Sequence, residues 1–439
     1  MSEIYILTDQ PQLVPALVGA LVLVLGLCSL VLKERLYLSE TMLAMVYGII
    51  IGPYVLNWMD PTGWTSDSHQ LTKELSRYAL ALEVMITGAC LPGRYAIKEW
   101  RSLLMLLVPA MTVMWLVSSA IIKLTLDIPL LHGLAMGACV APTDPVLASA
   151  ILEGTYAERN VPVRLRNALA AESGANDGLG YPFLFFALFL MRFDAGKAMG
   201  AWFYATWAYQ ILLCIAIGVF VGYVCRKAVF YADASEWMDR GPLLASAIAL
   251  AFVLVGVCTI LGTDDILCCF VAGNAYNWDG WFREEIEDAH MQETVMWLLS
   301  MAFFVYFGAI IPWAEFADGG VLRRWHIAVI VILVLLLRRL PVMLVSYKLI
   351  PAIRNWREAL FAGWFGPIGV SAIFYAVVAI EEFEKHSDSH AGNTGDIVFP
   401  VVCAIVFGSV LVHGTTVPFM LLGQRARTTF SSKFSLPGK

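Results

Sequence analysis

The sequence predicts an all-α polytopic membrane protein of thirteen transmembrane helices, arranged as two six-helix inverted repeats joined by one connecting span. Three observations predict it. Of 439 residues, 59% are hydrophobic and only 15% charged, with a positive mean hydropathy, whereas a soluble globule carries about 45–50% apolar residues. The apolar residues fall into thirteen windows of about 20 residues, the length that crosses a bilayer as a helix. The fifth and twelfth windows are broken by proline and glycine at matching places in the two halves, a pattern that points to a site between inverted repeats.

In chain order the windows centre on 13–32, 36–56, 74–91, 102–122, 130–152, 164–191, 203–225, 242–261, 264–276, 292–313, 326–349, 358–380 and 396–422. The first follows an uncharged-to-acidic start rather than a basic n-region, so it reads as a span and not a cleaved signal. The ninth is too short to cross alone unless Thr259–Asp265 extends it. The seventh connects spans 1–6 to spans 8–13. Loops are short, which makes residues 1–422 one membrane domain followed by a short tail, 423–439. Alternate loops carry nineteen Lys and Arg against seven on the other side, placing the N-terminus outside and the C-terminus in the cytosol.

Composition narrows the chemistry further. The nine cysteines form no Cys-x-x-Cys pair, so neither a disulfide framework nor a zinc site is expected. The net charge of −6 is spread over loops without a basic stripe, which argues against a nucleic-acid partner. Trp58, Trp64, Trp100, Trp281 and Trp313, near span ends, read as interfacial anchors facing membrane lipids.

Inside the sixth window lies the polar run Glu172-Ser173-Gly174-Ala175-Asn176-Asp177-Gly178. A carboxylate at mid-membrane costs roughly 2.5–3.5 kcal/mol on insertion scales, so such residues face a cavity or a counter-charge and mark an ion or proton path. On a helix, Ser173 and Asp177 share one face at i, i+4, and Glu172 and Asn176 share another. Ser173 and Asp177 can therefore offer oxygens to a small hard cation such as Na⁺ or Li⁺, while Glu172 turns aside.

The fifth window contains Ala141-Pro142-Thr143-Asp144-Pro145 and the twelfth Gly363-Trp364-Phe365-Gly366-Pro367-Ile368-Gly369. Proline and glycine interrupt the helical ladder, and the backbone groups they free survive at membrane depth only beside a cavity. Pro145 suits the first turn of a half-helix capped by Asp144. A Ser or Thr would cap as well, so the charge argues for a ligand, and Thr143-Asp144 can converge with Ser173-Asp177 as a cation cage.

The remaining charges sort by depth. Arg338 and Arg339 need a buried acid, for which Glu172 is the natural candidate; Arg77, near a span end, reads as a snorkelling side chain. Asp264 and Asp265 follow Gly262-Thr263, with Thr263 as helix N-cap or with the two acids lining a cation path. Glu83 is a buried acid with no evident partner. The acidic 381–396 loop, with His386 and His390, reads as a solvated outer loop, and His132 and His413 as hydrogen-bonded packing residues.

Together, Thr-Asp-Pro at 143–145, Glu-Ser-Gly-x-Asn-Asp-Gly at 172–178, Gly-Thr-Asp-Asp at 262–265, Arg-Arg-x-Pro at 338–341 and Trp-Phe-Gly-Pro-Ile-Gly at 364–369 resemble the monovalent cation/proton antiporters. Within that family the chain looks most like the fungal plasma-membrane Na⁺/H⁺ antiporters. The resemblance implies two crossing discontinuous helices (spans 5 and 12), a mobile core domain (about 102–191 and 326–422), a dimerisation domain (about 13–91 and 242–313) and a linker helix (about 203–225). It implies a homodimer that exports Na⁺ or Li⁺ against protons by an elevator motion, with no cofactor. Carried over by position, Asp177 is the principal cation- and proton-binding acid, with Asp144, Thr143 and Ser173 as ligands. Glu172 pairs with an arginine, more readily Arg338 than Arg339, and Asn176 before Asp177 implies one proton per cation. A K⁺/H⁺ exchanger or a cation-coupled symporter would use the same scaffold. A cation channel has no need of paired broken helices, and an intramembrane aspartyl protease would need a Gly-x-Gly-Asp that does not occur.

Overall fold

The computed structural model describes residues 10–32, 38–145, 147, 161–286, 291–316, 322–385 and 394–434, and these are helices joined by turns and short extended breaks. The chain opens with α1 (Gln10–Leu30), α2 (Glu40–Ile51) and α3 (Ser68–Cys90). Asp67 caps α3, accepting the Gln70 N–H at 2.9 Å. α4 (Trp100–Leu126) widens to a π-type turn at Leu106–Ala110 around Pro109, where the ring removes a ladder donor. There follow α5 (Leu130–Cys139), α6 (Val163–Asn176) and α7 (Gly180–Arg192), then the 40-residue α8 (Ala195–Ala234). The second half comprises α9 (Arg240–Leu261), α10 (Asp265–Tyr276), α11 (Met291–Ile310), α12 (Arg324–Leu337), α13 (Leu340–Ser346), α14 (Trp356–Trp364), α15 (Val370–Lys385) and α16 (Thr394–Phe434).

Among the described residues six stretches are long and apolar enough to cross a membrane: Leu13–Leu30, Trp100–Leu126, Ala195–Ala234, Arg240–Leu261, Arg324–Leu349 and Gly395–Thr416. Shorter apolar helices of 10–17 residues, including α2, α5 and α10, occupy other windows. At 1.5 Å per residue these reach roughly 15–26 Å, less than the hydrocarbon thickness of about 30 Å.

Several windows differ in detail from their sequence reading. The eighth and ninth are separate helices, as read, because Gly262 at φ +70° ends α9 in the left-handed conformation glycine tolerates. The cap of α10 is Asp264, which accepts the Leu267 N–H at 3.0 Å. Thr263, expected as the cap, instead donates to the carbonyls of Tyr209 and Gln210. The sixth window breaks at 177–179, between α6 and α7, and the eleventh at Arg338–Arg339, between α12 and α13. The last helix continues to Phe434, into the stretch read as a tail. His386 and His390 lie outside the described residues.

Two helix crossings share one design. Where α2 meets α11, a Cβ on Gly48 would overlap the Val305 carbonyl, and one on Gly308 would overlap that of Met45. Where α3 meets α10, a Cβ on Gly88 would stand 2.5 Å from the Phe270 carbonyl oxygen, and one on Gly273 would overlap that of Met85. In each pair a glycine meets the carbonyl three residues before its partner glycine, so the backbones touch. Membrane helices associate by such packing because lipid supplies no hydrophobic drive between them. α3 also packs on α6, α9 and α15, so it touches both the helix that carries the polar heptapeptide and the helix that follows the second break.

Gly273→Leu should therefore lower the melting temperature and yield of detergent-purified protein by an overpacking penalty of roughly 1–3 kcal/mol or more. Gly256→Ala, with nothing within 4 Å of its would-be Cβ, should leave both unchanged; the comparison is read by size-exclusion after heating.

Candidate cation-binding site

Two interrupted helices meet at the centre of the site. α5 stops at Cys139, residues 140–144 are non-helical, and Pro145 and Leu147 are helical again. α14 stops at Trp364, residues 365–369 are non-helical, and α15 begins at Val370. The two breaks are joined directly, the Asp144 N–H donating to the Pro367 carbonyl at 2.9 Å.

Each break exposes one helix C-terminus and one N-terminus, and two charged side chains answer them. Asp144 Oδ1 accepts the Leu147 N–H at 2.9 Å and Oδ2 accepts the Val370 N–H at 2.7 Å, so one carboxylate caps both new half-helices. Gly369 is required here, since any Cβ would overlap the Asp144 carboxylate. Arg338 answers the other two ends. Its Nη1 donates to the carbonyls of Val140, Ala141 (3.3 Å) and Pro142 (3.0 Å), and its Nη2 to that of Gly366. Anion at the N-termini and cation at the C-termini is the arrangement helix dipoles favour.

This corrects the pairing expected from sequence. Glu172 is held not by Arg338 but by Arg339, in a bidentate bridge with Nη1–Oε1 at 2.6 Å and Nη2–Oε2 at 2.7 Å. Both side chains are buried. Arg339 Nε also donates to the Ala362 carbonyl at 2.7 Å, and its aliphatic stem fills the space a Cβ on Gly366 would need. Adjacent arginines, at the break between α12 and α13, thus serve different partners.

Beside the crossing lies a polar cluster from the expected residues. Thr143 Oγ1 and Ser173 Oγ are 2.9 Å apart. Asn176 binds Thr143 twice, accepting its N–H at 3.1 Å and donating Nδ2 to its hydroxyl at 2.9 Å. Asp177 is wholly buried, and neither carboxylate oxygen has a hydrogen-bond partner. Its charge interacts with that of Asp144, and the Ser371 hydroxyl approaches it without closing a hydrogen bond. The Tyr375 hydroxyl donates to the Asp177 and Gly178 carbonyls where α6 ends. The glycines of the heptapeptide let this hinge lie against α10: a Cβ on Gly174 would meet the Phe270 ring at 2.7 Å, and one on Gly178 the Leu267 backbone nitrogen at 2.6 Å.

One further buried acid stands on α3, which packs against α6. Glu83, on α3, is completely buried with both oxygens unpartnered, and its charge interacts with those of Asp144 and Asp177. Thr87, one turn along, lies against Gly174. The sequence reading set Glu83 apart from the site; the signal that could have included it is its depth, a lone acid in the run Ala79–Ile86.

Asp264 and Asp265 lie elsewhere, at the N-terminus of α10. Asp265 is bound by Arg77, whose Nε reaches Oδ2 at 2.5 Å and whose Nη2 reaches Thr259 Oγ1 at 2.5 Å. Arg77 is therefore paired rather than snorkelling. Nearby Lys73 reaches both oxygens of Glu381 at 2.8 Å, tying the start of α3 to the end of α15. His413 packs as expected, its ring nitrogens 2.9 Å from the Ser409 and Trp364 carbonyls.

The comparisons agree with this architecture. A protein of Methanocaldococcus jannaschii solved as the sodium proton antiporter MjNhaP1 superposes with a TM-score of 0.71 over 94% of this chain and 99% of that one, at 18% identity. In sequence, the chain is 39% identical over 96% of its length to a protein of Schizosaccharomyces pombe named a probable Na⁺/H⁺ antiporter, of which it covers 57%. It is 31% identical over 97% of its length to a Na⁺/H⁺ antiporter of the same yeast, of which it covers 93%. The chain spans about half the length of the first curated relatives it matches. The family description "Sodium/hydrogen exchanger, transmembrane" matches residues 20–423. With an all-helical polytopic membrane fold of the MjNhaP1 type, this chain belongs to the sodium/hydrogen exchanger family.

Proposed function

We propose that this chain exchanges Na⁺ or Li⁺ for protons, one for one, across the plasma membrane of a fungal cell, and that Asp177 is the group for which the two ions compete. One observation carries the reading: Asp177 is wholly buried and presents two oxygens without a hydrogen-bond partner, one helical turn from Ser173, whose hydroxyl is joined to that of Thr143. An ionised carboxylate without a partner is too costly at this depth, so Asp177 must hold either a proton or a cation. Each excludes the other, and that exclusion couples two gradients with no covalent chemistry.

Asp144, Thr143 and Ser173 complete the ligand set in this reading, with Asp144 also holding the half-helices in place. Glu83 is a further acid facing the cation from α3. Glu172, Arg339 and Arg338 keep the crossing rigid, and Pro145, Gly366 and Pro367 create it. Asn176 stands where a second acid would add a proton to the cycle, which supports electroneutral exchange. Asp265 is engaged by Arg77, so Asp264 and Asp265 serve the approach to the site rather than the cage.

The reading includes thirteen spans with the N-terminus outside and the C-terminus in the cytosol, and inverted six-helix repeats. The paired glycine crossings support the repeats: a two-fold that exchanges the second window with the ninth, and the third with the tenth, turns one crossing into the other. A core built on α4–α7 and α12–α16 moves as an elevator against a dimerisation domain of α1–α3 and α9–α11, with α8 as the linker and two chains forming the homodimer. The charges of the crossing are satisfied within that core, so it travels without exposing them.

In proteoliposomes, addition of Na⁺ or Li⁺ should dissipate an imposed pH gradient without generating current. Asp177→Asn should abolish the exchange in folded protein; unchanged exchange, or activity with K⁺ alone, would overturn the assignment. Glu83→Gln should lower exchange by about tenfold or more, the equivalent of roughly 1.4 kcal/mol, while Na⁺-driven current in the unaltered chain would mean that Glu83 carries a proton of its own. Arg339→Leu alone should destabilise the protein by about 3–5 kcal/mol, and Glu172→Leu with Arg339→Leu should recover much of that loss, as judged by melting temperature.

A further inference from the structure

At the end of the fold away from Lys73 and Arg77, the turns that follow α3 and α10 meet backbone to backbone. A Cβ on Gly93 would stand 2.9 Å from the Gly280 nitrogen and 3.1 Å from the Trp278 carbonyl oxygen, and Asn277 Nδ2 donates to the Leu91 carbonyl at 2.7 Å. Arg94 takes a left-handed conformation, φ +59°, uncommon for a side-chain-bearing residue and worth a functional question. It carries its guanidinium over the Trp278 ring, 5.4 Å from the centroid.

Between the two turns lies a cavity of about 540 Å³ whose charged walls are Arg94, Lys98, Arg283, Asp279 and Glu284. Asp279 is already committed: Arg226 donates Nε to its Oδ1 at 3.1 Å and Nη2 to its Oδ2, and Arg226 is itself stacked on Phe230 and Trp281. Among the described residues Arg94, Lys98 and Arg283 have no carboxylate partner, which leaves three cations facing the single uncommitted acid Glu284. Next to Lys98 on the chain, Ile97 and Trp100 are more than half exposed, at 58% and 54%. The walls are thus cationic and aromatic, and two exposed apolar side chains stand within two residues of Lys98 in the chain.

We infer that this cavity binds the phosphoryl headgroup of an anionic phospholipid. Guanidinium and ammonium groups converging on one space suit a phosphoryl oxyanion, and basic pockets at the ends of membrane helices on the Lys/Arg-rich side take such headgroups. Ile97 and Trp100 give the lipid's glycerol and acyl portion an apolar surface, which a free phosphate would not use. A headgroup held here bridges the ends of α3 and α10, the two helices that close on each other at Gly88 and Gly273.

The test is native mass spectrometry of the delipidated full chain titrated with phosphatidic acid, with phosphatidylcholine, or with inorganic phosphate. The unaltered chain should retain phosphatidic acid about tenfold or more over phosphatidylcholine, and the Arg94→Ala, Lys98→Ala, Arg283→Ala chain should lose that preference with its melting temperature kept. Should the triple variant fail to fold, Lys98→Gln with Arg283→Gln is read in the same way. Retention of the preference in a folded variant overturns the inference. So does displacement of phosphatidic acid by millimolar inorganic phosphate, which would make the cavity a site for soluble phosphate.

Discussion

Four helix ends in a medium that cannot solvate them are the constraint on which the rest of this structure depends. Breaking two helices at one depth leaves two sets of bare N–H groups and two of bare carbonyls, and water is not there to meet them. One carboxylate, Asp144, and one guanidinium, Arg338, meet all four. The geometry tolerates little variation, because Gly369 must lack a side chain for the carboxylate to reach Val370.

Once the crossing is satisfied, the other buried charges acquire meaning by contrast. Glu172 is matched by Arg339 and Asp265 by Arg77. Such pairs offset their own desolvation and add little net stability, though removing one partner is severe. Asp177 and Glu83 have no such answer. These two buried acids without hydrogen bonds are the ones the proposed exchange draws on.

α3 links the parts. Its first turns hold Glu381 and Asp265 through Lys73 and Arg77, its middle carries Glu83, and its far end joins the basic cavity through Gly93 and Arg94. Glycine contacts at Gly88 and Gly273 bring its backbone against that of α10.

The sequence by itself determined the membrane class, the positions of the two breaks and the approach of Thr143 to Ser173, because hydrophobic windows, proline and glycine act locally and the polar heptapeptide is contiguous; that Asn176 turns to Thr143 rather than staying on the Glu172 face was decided by the fold. Asp144 as a cap was equally legible, since Pro145 fixes the first turn after it; its second role, capping α15, required α15 to arrive from the other half of the chain. Which arginine meets Glu172 was decided only in three dimensions: Arg338 and Arg339 are neighbours in sequence but straddle a helix break, so their side chains diverge. The same holds for Arg77, whose acid lies on α10, and for Asp264, which displaced Thr263 as cap once α9 ended on Gly262. Glu83 reaches the site through helix packing alone, and no spacing along a chain encodes which distant helices will touch.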